Sequence, residues 1–310
     1  MVRFSLGLTP YTRYPDLPSL QAVVRLAERL GFHGVSIGDH VVIPQADAKV
    51  ISPFWYDPFV LGAAIAATAP KLRLVFNTLI APYHHPLALA KALSSLDVLS
   101  GGRVTAGIGV GWMEREFEAL GVPFKERGAR TDECVRAMKA AWTEERPSFQ
   151  GRFFSFRDIA FQPRPLQQPH PPIWIGGGVR RTLERAAELG DGWHPLGRSW
   201  EQLTREVEEL REMLVRRGRD PSRFALSYTL YYASVAGQTS RHARSAGAGE
   251  ATVLAAGTGE ALEQLAAYDR LGFTHLTIRL RGLTQPDLCA AMERFSADIM
   301  APASGMQSSS

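Results

Sequence analysis

The chain has 310 residues, 45% of them hydrophobic and 21% charged, with a formal net charge of +4. That is enough apolar mass for one large core or two smaller ones, and the proportions are those of an ordinary globular protein. The small positive excess comes from arginines spread along the chain without a dense basic block, which argues against nucleic acid as a partner, and no window of about 18 apolar residues argues for a membrane span.

Short apolar or β-branched runs alternate with longer runs of helical period. Strands are expected at 2–8, 34–38, 72–79, 103–108, 172–175, 192–195, 224–233 and 275–280. The helices that follow them are expected at 18–30, 57–68, 86–99, 113–120 with 127–143, 179–189, 200–217, 259–271 and 286–300. Strands each followed by a helix pair in parallel, because every return crosses over through that helix, and their near-continuous apolar character suits burial on both faces. Eight such units in about 300 residues fit an α/β fold of the (β/α)8 TIM-barrel type better than an open sheet. One barrel domain over 1–300 is expected, with a flexible tail at 301–310. Within it the sequence "RLGFHGVSI" at 29–37 echoes "RLGFTHLTI" at 270–278, a helix ending at glycine and a buried strand beginning.

Two segments interrupt the alternation. Residues 146–171 carry Pro147, Gly151, Pro163, Pro165, Pro169 and Pro171 and read as a short hairpin insertion before strand five. Residues 234–258, rich in Gly, Ala, Ser and Thr, read as a long rim loop after strand seven, suited to a lid.

In a parallel barrel, chemistry sits at the C-terminal strand ends. Strand two leads into Asp39 and His40. Strand three leads into Asn77 and Thr78, with Tyr83, His84 and His85 beyond. Strand four leads into Gly107, Gly109, Val110, Gly111 and Trp112, strand five into Gly176, Gly177, Gly178 and Val179, and strand six into Trp193 and His194. The triple glycine is either a tight turn or a phosphate cradle at a helix start; it matches neither a dinucleotide fingerprint nor a P-loop. The alternating glycines of strand four either leave room for a flat ring or relieve crowding inside the barrel. Asp39 and His40 are consecutive, so only one of them reaches the site unless the chain turns there. His84 and His85 are adjacent and poorly placed to grip one ion, and HExxH is absent, so no metal site is expected. There is no GxSxG, and Cys134 and Cys289 lie away from strand ends, which removes nucleophilic catalysis. Two lone thiols and an N-terminus without signal-peptide character suit a cytoplasmic protein.

With these strings in view, the chain resembles the bacterial luciferase-like flavin and deazaflavin oxidoreductases. The likeness lies in "GGRVTAGIGVGW" at 101–112, "EFEALGVPF" at 116–124, "RGARTDE" at 127–133, "PPIWIGGG" at 171–178 and "ELGDGW" at 188–193, with "GDH" at 38–40 upstream. The resemblance implies a barrel that forms a homodimer and binds an isoalloxazine-type ring, coenzyme F420 by its closest branch and FMN as the alternative. It places the ring among Asp39, Asn77, Thr78, Gly107, Gly109, Val110 and Gly111, and the phosphate at Gly176, Gly177, Gly178 and Val179. It also implies a non-proline cis bond near Phe76-Asn77-Thr78. Where sugar-phosphate dehydrogenases of the family have a glutamate after strand four, this chain has Trp112, which points to a small apolar or planar substrate. The candidate substrate walls are Trp55, Tyr83, Trp112, Trp193 and His194, and His40 is the candidate proton partner. The competing readings are an FMN-dependent monooxygenase using O2 and a separate reductase, a non-catalytic cofactor-binding protein, and a cofactor-free barrel with structural glycines.

Overall fold

A computed structural model describes residues 2–232, 252–255, 257–280 and 284–305. Helix α1 (Leu17–Arg29) shows how local chemistry sets an element. The Asp16 side chain accepts the Ser19 amide at its N-terminus, Pro18 occupies the first turn, and Leu20, Val23, Val24 and Ala27 form the buried stripe. Beyond its end Gly31 takes φ +84°, and beyond α8 (Thr258–Arg270) Gly272 takes φ +95°. The two echoed strings therefore end their helices by the same left-handed glycine.

The strands are β1 (Arg3–Gly7), β2 (Gly34–Ile37), β3 (Arg73–Ile80), β4 (Val104–Gly109), β5 (Phe149–Gln150), β6 (Ser155–Phe156), β7 (Ile173–Gly176), β8 (Gly192–His194), β9 (Ala225–Tyr232), β10 (Val253–Leu254) and β11 (His275–Leu280). Parallel pairing runs β11-β1-β2-β3-β4-β7-β8-β9 and closes through β9–β11. The result is an eight-stranded (β/α)8 barrel. Around it lie α1, α2 (Pro58–Thr68), α3 (Pro86–Ser100), α4 (Glu114–Ala119), α5 (Arg127–Thr143), α6 (Arg180–Leu189), α7 (Trp200–Arg216), α8 and α9 (Gln285–Phe295). No helix among the described residues is long and apolar enough to cross a membrane.

β5 and β6 form the antiparallel hairpin expected in the 146–171 insertion. Most of the expected rim loop, 233–251 and 256, lies outside the described residues. The expectation of continuous loop over 234–258 needs one correction: β10 lies within it and extends the ladder of β9. The expected flexible tail is also corrected in part. After α9 the helix widens over Ser296–Met300 and continues as α10 (Ala301–Gly305). Ile299 and Met300 are buried there, so burial of apolar side chains anchors the stretch to the barrel. Residues 306–310 lie outside the described residues.

Gly107 resolves one open alternative. A Cβ there would stand 1.9 Å from the Phe76 carbonyl oxygen and 3.6 Å from the Asn77 Cα. The residue relieves backbone crowding beside β3 and is not on the wall of the cavity described below. Gly107→Ala is expected to cost about 1–3 kcal/mol or more of stability, lowering the melting temperature by roughly 2–5 °C or more. Thermal unfolding followed by circular dichroism checks this; an unchanged melting temperature would show that the two strands can part without cost.

Candidate active site

A cavity of about 880 Å³ opens at the C-terminal ends of the barrel strands. β2 ends at Ile37, and the chain then leaves the sheet, so Asp39 and His40 both line the cavity. His40 Nδ1 lies 2.7 Å from Glu116 Oε2. Glu116 is on α4 and wholly buried. Its Oε1 accepts the Val41 and Val42 amides at 2.8 and 3.2 Å, and its Oε2 accepts the Tyr83 hydroxyl at 2.9 Å. Burial pushes the Glu116 carboxyl up, but the hydrogen bonds from His40, the Val41 amide and Tyr83 outweigh it and hold it below the ordinary carboxylate range. Tyr83 is pushed the other way, by burial first and then by the Glu116 charge, so its phenol stays protonated and donates. An ionised Glu116 therefore receives Nδ1–H of His40, and this network assigns Nε2 as the nitrogen left for other chemistry. The His40 ring packs edge-on against Trp55 and Trp112, with centroids 4.6 and 6.2 Å away.

Asp39 Oδ2 accepts the Ile80 amide at 2.9 Å and lies 3.1 Å from His84 Nε2. Asp39 Oδ1 is buried without a partner. A buried acceptor left unsatisfied costs about 1–3 kcal/mol, so an occupant of the cavity that presents a donor is favoured there. The register of β3 against β4 breaks between Phe76 and Leu79, which frees Asn77 and Thr78 from the ladder and puts both on the cavity wall. The Asn77–Thr78 peptide is cis, within the stretch where the resemblance implies such a bond. Gly109, Val110, Gly111, Trp55 and Trp112 also line the cavity.

Three candidate substrate walls lie elsewhere. His194 points into the barrel interior, where its Nε2 is 2.9 Å from Asn77 Nδ2 and its Nδ1 is 3.0 Å from Ser227 Oγ. Burial, reinforced by the Arg279 charge, lowers its pKa to about 3, so the ring is neutral and accepts the Asn77 amide. It anchors a wall residue from behind. Trp193, one residue earlier on the same strand, points to the opposite face; it is 1% exposed, and its indole N–H reaches the Gly177 carbonyl at 3.3 Å. Tyr83 is occupied by Glu116 and Phe117, off the cavity wall.

At β7, Gly176, Gly177, Gly178 and Val179 all line the cavity. The N-terminus of α6 has no side-chain cap and no acidic residue in its first turn, so its amides and positive dipole end are open to an anion. A Cβ on Gly178 would meet the Arg198 guanidinium at 2.7 Å and the Leu196 carbonyl at 2.9 Å. Arg180 and Arg181 both turn outward, to Glu209 and Glu184 and to Asp132 and Glu184. The cation at the cradle is instead Arg198, steadied by Glu206 at 3.0 Å. Sequence reasoning passed over Arg198 and Glu116. The available signals were the position of Arg198 just past the strand-six end and an acidic side chain in "EREFEA" that α4 buries. Among the described residues no three metal-ligating side chains come together.

The profile of a family described as luciferase-like monooxygenase matches residues 2–270. The chain belongs to the luciferase-like monooxygenase family. Among the curated members, it is similar to an FMNH2-dependent dimethylsulfone monooxygenase of Pseudomonas putida, 34% identical over 200 residues. That match covers 63% of this chain and 53% of the relative, so the chain spans about half the length of that protein. A monooxygenase from Streptomyces bottropensis superposes with TM-score 0.77 at 26% identity, covering 97% of this chain and 99% of the other. A coenzyme F420 dependent tetrahydromethanopterin reductase from Methanopyrus kandleri superposes with TM-score 0.76 at 17% identity, covering 97% and 99%. At that identity the likeness is one of fold. This luciferase-like barrel thus has relatives that work with reduced FMN and fold neighbours that work with F420.

Proposed function

We propose that this luciferase-like protein is an oxidoreductase that exchanges hydride between coenzyme F420 and a small organic substrate, with His40 handling the proton. One observation carries the reading. The imidazole of His40 stands on the cavity wall, tethered at Nδ1 by a buried, ionised Glu116, and its Nε2 is left for proton exchange.

The residues present fit such a cofactor. The unpartnered Asp39 Oδ1 wants a donor, and the open start of α6 with Arg198 wants an anion. Asp39 and Asn77 would hold the polar edge of the ring, and Gly176, Gly177, Gly178, Val179 and Arg198 would hold the phosphate. When bound, the deazaflavin supplies the hydride chemistry, and the protein supplies position and electrostatics. His194 keeps Asn77 oriented as a neutral acceptor. Trp55 and Trp112 keep water from the face they cover. His40 Nε2 gives a proton to the reduced substrate, or takes one from an alcohol being oxidised, while Glu116 compensates the charge on the ring.

The kinship with the dimethylsulfone monooxygenase favours a second reading, a monooxygenase that uses reduced FMN. Titration of the purified protein with F420 and with FMN, followed by fluorescence quenching, separates the two. F420 is expected to bind at least about tenfold more tightly than FMN, a gap of about 1.4 kcal/mol. The reverse order would transfer the assignment to the FMN monooxygenase, and binding of neither would leave the glycines a structural role alone.

A further inference from the structure

The wall of the main cavity is strongly cationic: Arg13, Arg127, Arg198 and Arg279 line it, against the one carboxylate of Asp39. Two of these cations have visible work. Arg198 serves the glycine cradle and pairs with Glu206. Arg127 lies 3.7 Å over the Phe124 ring and donates to the Phe124 carbonyl at 2.9 Å.

Arg127 has no carboxylate partner among the described residues and its Nε is buried without an acceptor, and Arg279 lies 5.7 Å over the Tyr231 ring, so what sets Arg13 and Arg279 apart is that they stand together. Arg13 Nη1 donates to the carbonyl of Leu280 at 3.2 Å, and Arg279 Nη1 donates to the Tyr231 hydroxyl at 3.2 Å. Among the described residues neither has a carboxylate partner, and Arg13 Nε is buried with no acceptor at all. The two cations are neighbours: both line one cavity, and Arg13 Nη1 bonds the carbonyl of the residue next to Arg279. Burial first, and the charge of Arg279 among the further influences, hold the Arg13 guanidinium below its ordinary value. β1 even makes room for this arrangement, since a Cβ on Gly7 would stand 2.8 Å from Arg279 Cγ. Two like charges held together without a counter-ion are costly unless an anion joins them. A pair of planar forks with spare N–H donors matches a carboxylate or sulfonate.

Their place in the fold separates them from the phosphate cradle. Arg13 follows β1, and Arg279 is on the adjacent β11. The cradle is at the end of β7, four strands from β1 along β2, β3 and β4, on the far side of the closed ring. Between the pair and His40, Tyr11 packs on Trp55 at 5.4 Å, and Trp55 packs on His40 at 4.6 Å.

We infer that Arg13 and Arg279 form an anion subsite for the substrate, which is a small organic acid with its carboxylate or sulfonate between the two guanidiniums and its planar body along Trp55 toward His40. This deepens the proposed function, on which the word substrate rests, and within the expectation of an apolar or planar substrate it keeps the planar body and adds an acidic group. The anion binding itself needs neither F420 nor FMN.

The test uses the full chain without added cofactor, benzoate as the anionic probe and benzamide as its neutral counterpart, with binding read from tryptophan fluorescence. Wild type is expected to bind benzoate at least about tenfold more tightly than benzamide. Arg13→Gln and Arg279→Gln are each expected to erase that preference, with benzamide binding unchanged. Arg279→Lys should keep part of it, and Arg198→Gln should keep all of it. F420 and FMN affinities should move by less than about twofold in the Arg13 and Arg279 variants. Arg279→Gln serves if Arg13→Gln fails to fold by circular dichroism.

The inference is overturned if wild type binds both probes equally or neither saturably. It is also overturned if Arg198→Gln, and not the other pair, removes benzoate binding, which would put the anion in the cradle. Loss of F420 or FMN affinity in the Arg13 and Arg279 variants would assign the pair to the cofactor and overturn it as well. Should F420 fail to bind while the benzoate preference and its loss hold, the cofactor assignment falls and the anion subsite stands.

Discussion

His40→Ala is expected to lower turnover by about 10²–10⁴-fold while the F420 dissociation constant stays within about threefold of wild type. The split follows from the site. The His40 ring is tied back to Glu116 through Nδ1, so its other nitrogen is the one proton-exchanging atom that the tether presents beside Trp55 and Trp112. Among the groups suited to the cofactor, Asn77 and the glycine cradle stand on other strands, and Asp39, although next to His40 in sequence, is held by the Ile80 amide and lies beside His84 without leaning on the His40 ring. Glu116→Gln should follow in a weaker form, roughly tenfold in kcat, because an amide oxygen accepts Nδ1–H only by turning its NH2 toward the Val41 and Val42 amides, and it no longer compensates a charged ring. Steady-state kinetics paired with F420 titration checks both variants. Collapse of F420 affinity with turnover preserved at saturation would make His40 a cofactor ligand.

Acid should unfold this protein well before its carboxylates are fully protonated. His33, His194 and His275 are held down to about 4, about 3 and about 3, in each case chiefly by burial, with nearby arginine charges adding to it. Above pH 6.5 these rings are neutral in the folded and the unfolded chain and contribute no pH dependence. Below it the unfolded chain takes up protons that the folded chain refuses, so stability falls as the pH drops from 6.5 toward the folded values. Each ring contributes about 1.4 kcal/mol per pH unit in that window. His33 and His275 lie 5.6 Å apart at the N-terminal end of the barrel, with Arg3 and Arg73 lowering both, so neither can escape by pairing with the other. Urea unfolding between pH 7 and about 4.5 should give a slope approaching three protons, reduced by about one in His194→Asn. A slope below one proton would mean that the rings gain water or partners on protonation.

Much of the barrel was legible because its signals are local. The alternation of apolar runs with helical-period runs reports parallel pairing, and a glycine such as Gly31 or Gly272 ends its helix by its own backbone freedom. The position rule for barrels also led to Asp39, His40, Asn77, Thr78, Gly176, Gly177 and Gly178, all of which line the cavity. Strand alternation was the point of failure at Trp193 and His194: two neighbours in sequence, both next to a strand end, face opposite sides of the sheet, and the residue names do not say which goes inward. Gly107 misled for a related reason, because the need for a glycine came from the Phe76 carbonyl on the next strand.

Sequence alone thus determined the fold class, the rim on which chemistry is displayed and the family, since each depends on short-range pattern or on strings read in order. Tertiary structure alone decided the pairings. His40 meets Glu116 from 76 positions away, Asn77 meets His194 from 117 positions away, and Arg13 meets the strand of Arg279 across 267 positions. Such contacts depend on where closure of the barrel brings distant strand ends. Hydrogen bonds that outweigh burial make Glu116 a fixed acceptor, burial makes His194 a neutral anchor, and barrel closure leaves Arg13 and Arg279 without a carboxylate partner among the described residues.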